Sequence, residues 1–100
     1  MEPIYRVATD FDLETWLRLY QACDWYRDGT VRNLEAVRAH AYLIVTAWVG
    51  EEMVGTLTVL SDGMNYATMD DLVVHPDYRR LGIASELMRQ ALSRLTHIEP

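Results

Sequence analysis

One hundred residues, 50% hydrophobic and 24% charged, suit a single small globular domain over 1–100: the chain is too short for two cores and too apolar for disorder. The net charge is −6, all nine basic residues are arginines and lysine is absent, which excludes a Schiff-base lysine and a lysine-dependent phosphate loop and argues against a nucleic-acid partner, whose binding rests on many phosphate contacts. Apolar runs stop well short of the ~20 residues that span a bilayer, and Met1-Glu2-Pro3 resembles no signal peptide, so a soluble cytoplasmic protein with no membrane partner is expected.

In chain order, Ile4 to Ala8 reads as a short strand. Thr9 or Asp10 then caps a helix over Asp12 to Ala22, with Phe11, Leu13, Trp16, Leu17, Tyr20 and Cys23 on its apolar side. The single cysteine, Cys23, has no disulfide partner in the chain, and its apolar setting favours a core thiol over a nucleophile. Asp24 to Thr30 is a polar, aromatic-bearing connection ending in the turn signal Asp28-Gly29, and Val31 to His40 is a second helix with Val31, Leu34, Val37 and Ala41 at helical spacing.

From Tyr42 the pattern turns β-rich. Tyr42 to Val49, a turn at Gly50-Glu51-Glu52, Met53 to Leu60, a turn at Ser61-Asp62-Gly63 and Tyr66 to Val74 make three successive antiparallel strands. Tyr66 and Tyr78 are expected to pack against neighbours. Pro76 ends the third strand, because proline donates no ladder bond and restricts His75 before it. The last helix places Ala84, Leu87, Met88, Ala91, Leu92 and Leu95 on one face, with Glu86, Arg89, Gln90, Ser93 and Arg94 opposite. Residues 96–100 carry no pattern, and His40, His75 and His97 lack the spacing of metal ligands.

Tyr78-Arg79-Arg80-Leu81-Gly82-Ile83-Ala84-Ser85 joins strand to helix with the chemistry of an anion site. A helix start offers unpaired N–H groups and about half a positive charge. Gly82 permits backbone angles closed to other residues, Ala84 keeps the first turn uncrowded, and Arg79 and Arg80 supply charge-assisted hydrogen bonds. An acidic protein needs such a local cluster to hold any phosphate. The bland alternative is an ordinary turn with solvated arginines.

His75 to Ser85 resembles the coenzyme A signature of the GNAT superfamily of N-acetyltransferases: Arg or Gln, two variable residues, Gly, one variable residue, then Gly or Ala. Met69 to Val74 is similar to the family's fourth strand, and the order of elements from Ile4 to Leu95 also matches. The resemblance implies a mixed α/β (α+β) fold of strand, two helices, three strands and a helix. It implies acetyl-CoA as co-substrate, with Leu72, Val73 and Val74 beside the pantetheine arm. Arg79, Arg80, Leu81, Gly82, Ile83, Ala84 and Ser85 then surround the pyrophosphate.

The same resemblance implies an N-acetyltransferase that uses no metal, in which a primary amine of a small molecule or peptide attacks the thioester directly. Val73 N–H is the expected donor to the thioester carbonyl. Strand alternation sends Asp70 and Asp71 to opposite faces, so one of them at most faces the amine; Asp70 is the expected base, because it resembles the position of an acidic residue that polyamine acetyltransferases use for this purpose. Trp25, Tyr26 and Asp28 are the expected acceptor-binding residues, although core packing explains Trp25 equally well.

Family members usually add a fifth strand and a fourth helix, so a C-terminally short member is expected, with an open edge at Met69 to Val74 that invites a homodimer or a complementing chain. The alternatives are a catalytically impaired acyl-CoA-binding subunit or sensor, and a non-enzymatic α/β interaction domain.

Overall fold

A computed structural model describes residues 2–95; His97 and the unpatterned stretch 96–100 lie outside them. The elements are β1 (Ile4–Val7), α1 (Leu13–Ala22), α2 (Thr30–His40), β2 (Leu43–Val49), β3 (Glu52–Ser61), β4 (Ala67–Val74), a 3-10 turn (Pro76–Tyr78) and α3 (Ile83–Ser93). The strands form one four-stranded sheet in the order β1-β2-β3-β4, antiparallel throughout.

Both faces of this sheet are covered. Trp16, Leu19 and Tyr20 of α1 and Leu34 of α2 pack with Ile44, Trp48, Met53 and Val73 on one face. Ile83, Leu87, Ala91 and Leu95 pack with Val45, Ala47, Val54, Leu57 and Val59 on the other. The central strands β2 and β3 are therefore buried on both sides and read as nearly continuous apolar runs, with threonine as the recurring polar residue.

Several boundaries differ from the sequence expectation, each for a local reason. The N-cap of α1 is Asp12, whose carboxylate accepts the Glu14 N–H at 3.3 Å, so neither Thr9 nor Asp10 serves. On α3 the buried row is Ile83, Leu87 and Ala91 at i, i+4, i+8, continued by Leu95; Met88 and Leu92 lie one step round the helix and are 41% and 54% exposed. Leu19 joins the buried face of α1, whereas Val31 of α2 is exposed. Tyr66 does not pack: it precedes β4 and is 56% exposed. The Asp62 turn is built as its sequence indicates, with the carboxylate accepting the N–H groups of Met64, Asn65 and Tyr66, bonds that hold the acid below the usual carboxylate range.

One irregularity matters for the site. Thr58 pairs with Asp70 and Thr56 with Val73, so Asp71 and Leu72 together face Leu57 alone, a β-bulge in which Asp71 takes the left-handed conformation at φ 54°. The expectation that Asp70 and Asp71 point to opposite faces assumed an unbroken alternation, and the bulge breaks it between the two.

Candidate acyl-coenzyme A site

Beyond β4 the chain is pinned before it reaches α3. His75 donates its N–H to Val54 O at 2.8 Å, its ring Nδ1 accepts the Asp77 N–H at 3.1 Å, and Tyr78 closes the 3-10 turn by donating to His75 O at 2.9 Å. The Tyr78 ring stands edge-on to His75, 5.4 Å between centroids. Proline at the first position of that turn has no N–H to lose.

Two left-handed residues then steer the loop, Arg80 at φ 66° and Gly82 at φ 81°. Gly82 is the N-cap of α3 and has no side chain to satisfy the helix start. The first helical bond runs from Glu86 N–H to Gly82 O at 3.0 Å, which leaves the N–H groups of Ile83, Ala84 and Ser85 outside the helical ladder and directed outward. An anion is the natural partner for three such donors at a positive helix end. The one acid in this first turn, Glu86, is neutralised locally: Arg89 gives it Nε and Nη2 bonds at 2.9 and 2.6 Å and Gln90 gives Nε2 at 2.9 Å, which hold its carboxyl down to about 2.

These backbone groups open onto a cavity of about 440 Å³. Leu72, Val73, Val74, Arg79, Arg80, Gly82, Ile83, Ala84 and Ser85 all line it, as does Trp25. Leu81 stands beside it, 65% exposed. Tyr26 and Asp28 are exposed on the connection between α1 and α2 and do not line the cavity. A pocket with an apolar wall on one side and arginines with free N–H groups on the other fits a ligand that has an uncharged arm and a diphosphate, as coenzyme A has.

The structure adds Cys23 and Tyr78 to the lining. Cys23, the C-cap of α1, is half-buried against the core beneath α1; its Sγ lies 3.4 Å from Val74 O as a donor. Burial pushes this thiol up, and the Arg79 guanidinium opposes that shift. Arg79 shares the same carbonyl, donating Nε at 3.2 Å, which holds its guanidinium at the cavity wall beside Cys23. A cysteine directly after a helix and two residues before a tryptophan is weak evidence of a cavity wall, which is why sequence reasoning passed over it.

The Val73 N–H, the expected donor, does not face the open edge of β4. Antiparallel pairing turns successive N–H groups alternately toward the neighbouring strand and away from it. Because His75 donates to β3, Val74 turns its N–H to the open edge, Val73 turns its own back to β3, and Leu72 faces the edge again. The Val73 side chain is 2% exposed, packed under α1. Among the described residues no strand pairs with the far side of β4, so the Leu72 and Val74 N–H groups are available to a ligand lying along it.

Beside them stand two carboxylates. Asp70 accepts the Thr68 hydroxyl at 2.9 Å in an exposed setting. Asp71 has its carboxyl raised above the usual range, first by the burial of that group and then by Asp70. No cluster of His, Cys, Asp and Glu among the described residues is placed to hold a metal ion, and none of the described helices is long and apolar enough to cross a membrane.

Comparison with known proteins agrees with this geometry. Residues 1–98 match the family model described as the acetyltransferase (GNAT) family. A GNAT family acetyltransferase from Streptococcus pneumoniae TIGR4 superposes with a TM-score of 0.84 at 32% identity, over 98% of this chain and 71% of that one. A putative acetyltransferase from Deinococcus radiodurans R1 gives 0.82 at 24% identity, over 99% and 69%. An aminoglycoside 6'-N-acetyltransferase solved with coenzyme A shares the fold at 0.78 and 16% identity, over 92% of this chain and 54% of that one. No curated protein matches the sequence. With the order of elements, the Arg80 to Ser85 helix start and the family match in agreement, the chain belongs to the GNAT acetyltransferase family.

Proposed function

We propose that this protein is an N-acetyltransferase that moves the acetyl group of acetyl-CoA to a primary amine of a small molecule or peptide. The observation that carries the reading is the alignment of two features on one cavity: the unpaired N–H groups of Ile83, Ala84 and Ser85 at the start of α3, and the open edge of β4 with Leu72 and Val74. The first holds the pyrophosphate with Arg79 and Arg80. The second lets the pantetheine arm run along β4 as an added strand, from Val74 beside the loop toward Leu72.

That direction brings the thioester to Leu72, next to the bulge. Leu72 N–H then donates to the thioester carbonyl, the role expected of Val73, and stabilises the oxyanion as the amine adds. Holding both reactants in line supplies much of the acceleration. A carboxylate of the Asp70 and Asp71 pair takes the ammonium proton, a contribution of about 10²–10⁴. Exposed Trp25 and Tyr26, with Asp28, offer aromatic faces and negative charge to a cationic acceptor.

Thermal melting with and without coenzyme A tests the cofactor half of this reading; a ligand at 100 times its dissociation constant adds about 2.7 kcal/mol, and an unmoved melting point overturns it. Thiol release from acetyl-CoA across polyamines, amino acids, peptides and aminoglycosides tests the transfer itself. Coenzyme A binding with no release for any amine would favour an acyl-CoA-binding subunit or sensor.

The earlier part of the same edge of β4, at Met69 and Asp70, is left clear of the pantetheine arm and has no strand beyond it among the described residues, so it is a surface for a second strand. A second copy of the chain is the partner proposed, and sedimentation as a monomer at micromolar concentration would defeat it.

A further inference from the structure

His75 joins β4 to the loop that leads into α3 and stands outside the acyl-CoA cavity itself. Its backbone is fixed on both sides: the N–H donates to Val54 O at 2.8 Å and the carbonyl accepts the Tyr78 N–H at 2.9 Å. Its side chain is only 15% exposed, and the ring meets Tyr78 edge-on with 5.4 Å between centroids. The two ring nitrogens have different surroundings. Nδ1 accepts the Asp77 N–H at 3.1 Å. Nε2 lies 3.8 Å from Glu52 Oε2, and both residues line a second cavity of about 400 Å³ together with Thr15, Arg18 and Glu51.

A backbone N–H is a fixed donor, so Nδ1 must be the bare nitrogen and the proton of the neutral ring sits on Nε2. Protonating the ring would set an Nδ1–H against the Asp77 N–H, two donors facing each other, and the 3-10 turn would lose its N-cap bond. The other nitrogen gains from the same event. At 3.8 Å the Glu52 carboxylate is too far for a hydrogen bond to a neutral ring but close enough to attract an imidazolium. Protonation therefore favours a ring that leaves Asp77 for Glu52. Tyr78, which rests against that ring, lines the acyl-CoA cavity, and Arg79 and Arg80 follow it there.

We propose that His75 is a positioning residue that sets the coenzyme A loop only as a neutral imidazole, so that its protonation loosens the loop and weakens cofactor binding. This rests on the acyl-CoA reading above. Histidine is the side chain whose charge ordinarily changes between about pH 5 and 8; the neutral ring is the binding form, so affinity is full above that range and falls as pH drops through it. The charged and titratable groups that face the ring are Glu52 on β3, Glu51 in the β2–β3 turn, Arg18 on α1, and Asp77 and Tyr78 in its own turn. The carboxylates favour the imidazolium. Arg18 opposes it only in part, because its guanidinium is 3.8 Å from Glu14 and donates to Thr15 Oγ1 at 3.1 Å.

Calorimetric titration of coenzyme A from pH 8 to pH 5 tests this on the wild type and on His75→Asn, whose side-chain oxygen accepts an N–H two residues on and never ionises. The 3′-phosphate of coenzyme A titrates near ~6 but acts alike on both proteins, so the reading is the wild-type dissociation constant divided by the variant's. That ratio should be close to one at pH 8 and rise about three- to tenfold at pH 5, the worth of one hydrogen bond. A ratio that does not change with pH overturns the proposal. So does one that falls on acidification, the result of plain attraction between an imidazolium and the diphosphate. Glu52→Gln should leave binding at pH 8 unchanged and displace the loss to lower pH; an unmoved loss overturns the part given to Glu52.

A second measurement does not depend on the folding of His75→Asn. Nitrogen-15 spectra of the histidine rings, assigned by difference from His40→Asn and His97→Asn, should show a bare Nδ1 on His75 at pH 8. Saturating coenzyme A should then lower the pH at which this ring takes up its proton, since binding and protonation oppose each other reciprocally. A midpoint that stays or rises overturns the proposal. Absent coenzyme A binding at pH 8 would instead defeat the cofactor reading, so the two failures are told apart.

Discussion

Gly55 on β3 lies directly beneath Ile83 at the first turn of α3: a Cβ on Gly55 would stand 3.0 Å from Ile83 Cγ2 and 3.1 Å from Leu87 Cδ1. The absent side chain lets α3 settle against the sheet, so a packing relationship sets the position of the helix start proposed to hold the pyrophosphate.

Gly55→Ala should therefore destabilise the fold by about 1–3 kcal/mol, the usual cost of overpacking a filled core. Ile83 is β-branched and stiff, so the helix start must shift with it, and coenzyme A affinity should fall as well. Urea unfolding and calorimetric titration read the two effects. Unchanged stability would show that the helix yields freely.

At Gly82 the cost is of a different kind. A Cβ built there meets nothing within 4 Å, so Gly82→Val clashes with no side chain and is opposed only by its φ of 81°, a penalty of about 1–2 kcal/mol. The helix itself should survive, with a nearly unchanged circular dichroism spectrum, while the three N–H groups lose their aim and coenzyme A binding falls at least about tenfold. Normal affinity in this variant would count against the pyrophosphate site.

Arg80 carries strain and charge together, since it is a non-glycine residue at φ 66°. Arg80→Gly should raise stability by about 0.5–1 kcal/mol by relieving the left-handed conformation, yet weaken coenzyme A binding through the lost guanidinium. Opposite signs in melting and affinity identify a residue strained for binding. A fall in both would mean that its side chain supports the loop.

The Glu86 carboxyl sits low in the folded protein, at about 2, because Arg89 and Gln90 bond its charged form. A depressed carboxylate contributes stability that is present above its unfolded value, near ~4.3, and is lost as pH falls toward 2. Glu86→Gln should flatten the stability profile between those limits and leave its neutral-pH shape unchanged. Denaturant melts at pH 2, 3, 4 and 7 check the sign.

Much of this was legible from residue types in order. Alternating and continuous apolar runs marked the strands, the Asp62 and Gly50 turns separated them, and Pro76, Gly82 and the arginines located the loop, because each depends on local backbone chemistry. Ranking the two aspartates, and assigning the polarising N–H, was not possible that way. Strand period alone makes Asp70 and Asp71 alternate and singles out no edge-facing amide; only the pairing of Thr58 with Asp70 and Thr56 with Val73 reveals the extra residue between them.

By itself, then, the sequence determined that this chain builds a GNAT sheet, loop and helix, since those signals lie within a few residues of one another. Tertiary structure decided which N–H groups of β4 face the open edge, that Cys23 walls the cavity, and that its thiol meets the Val74 carbonyl. Those relationships join residues about fifty apart in the chain, and long-range packing, which no local pattern encodes, sets the distance between them.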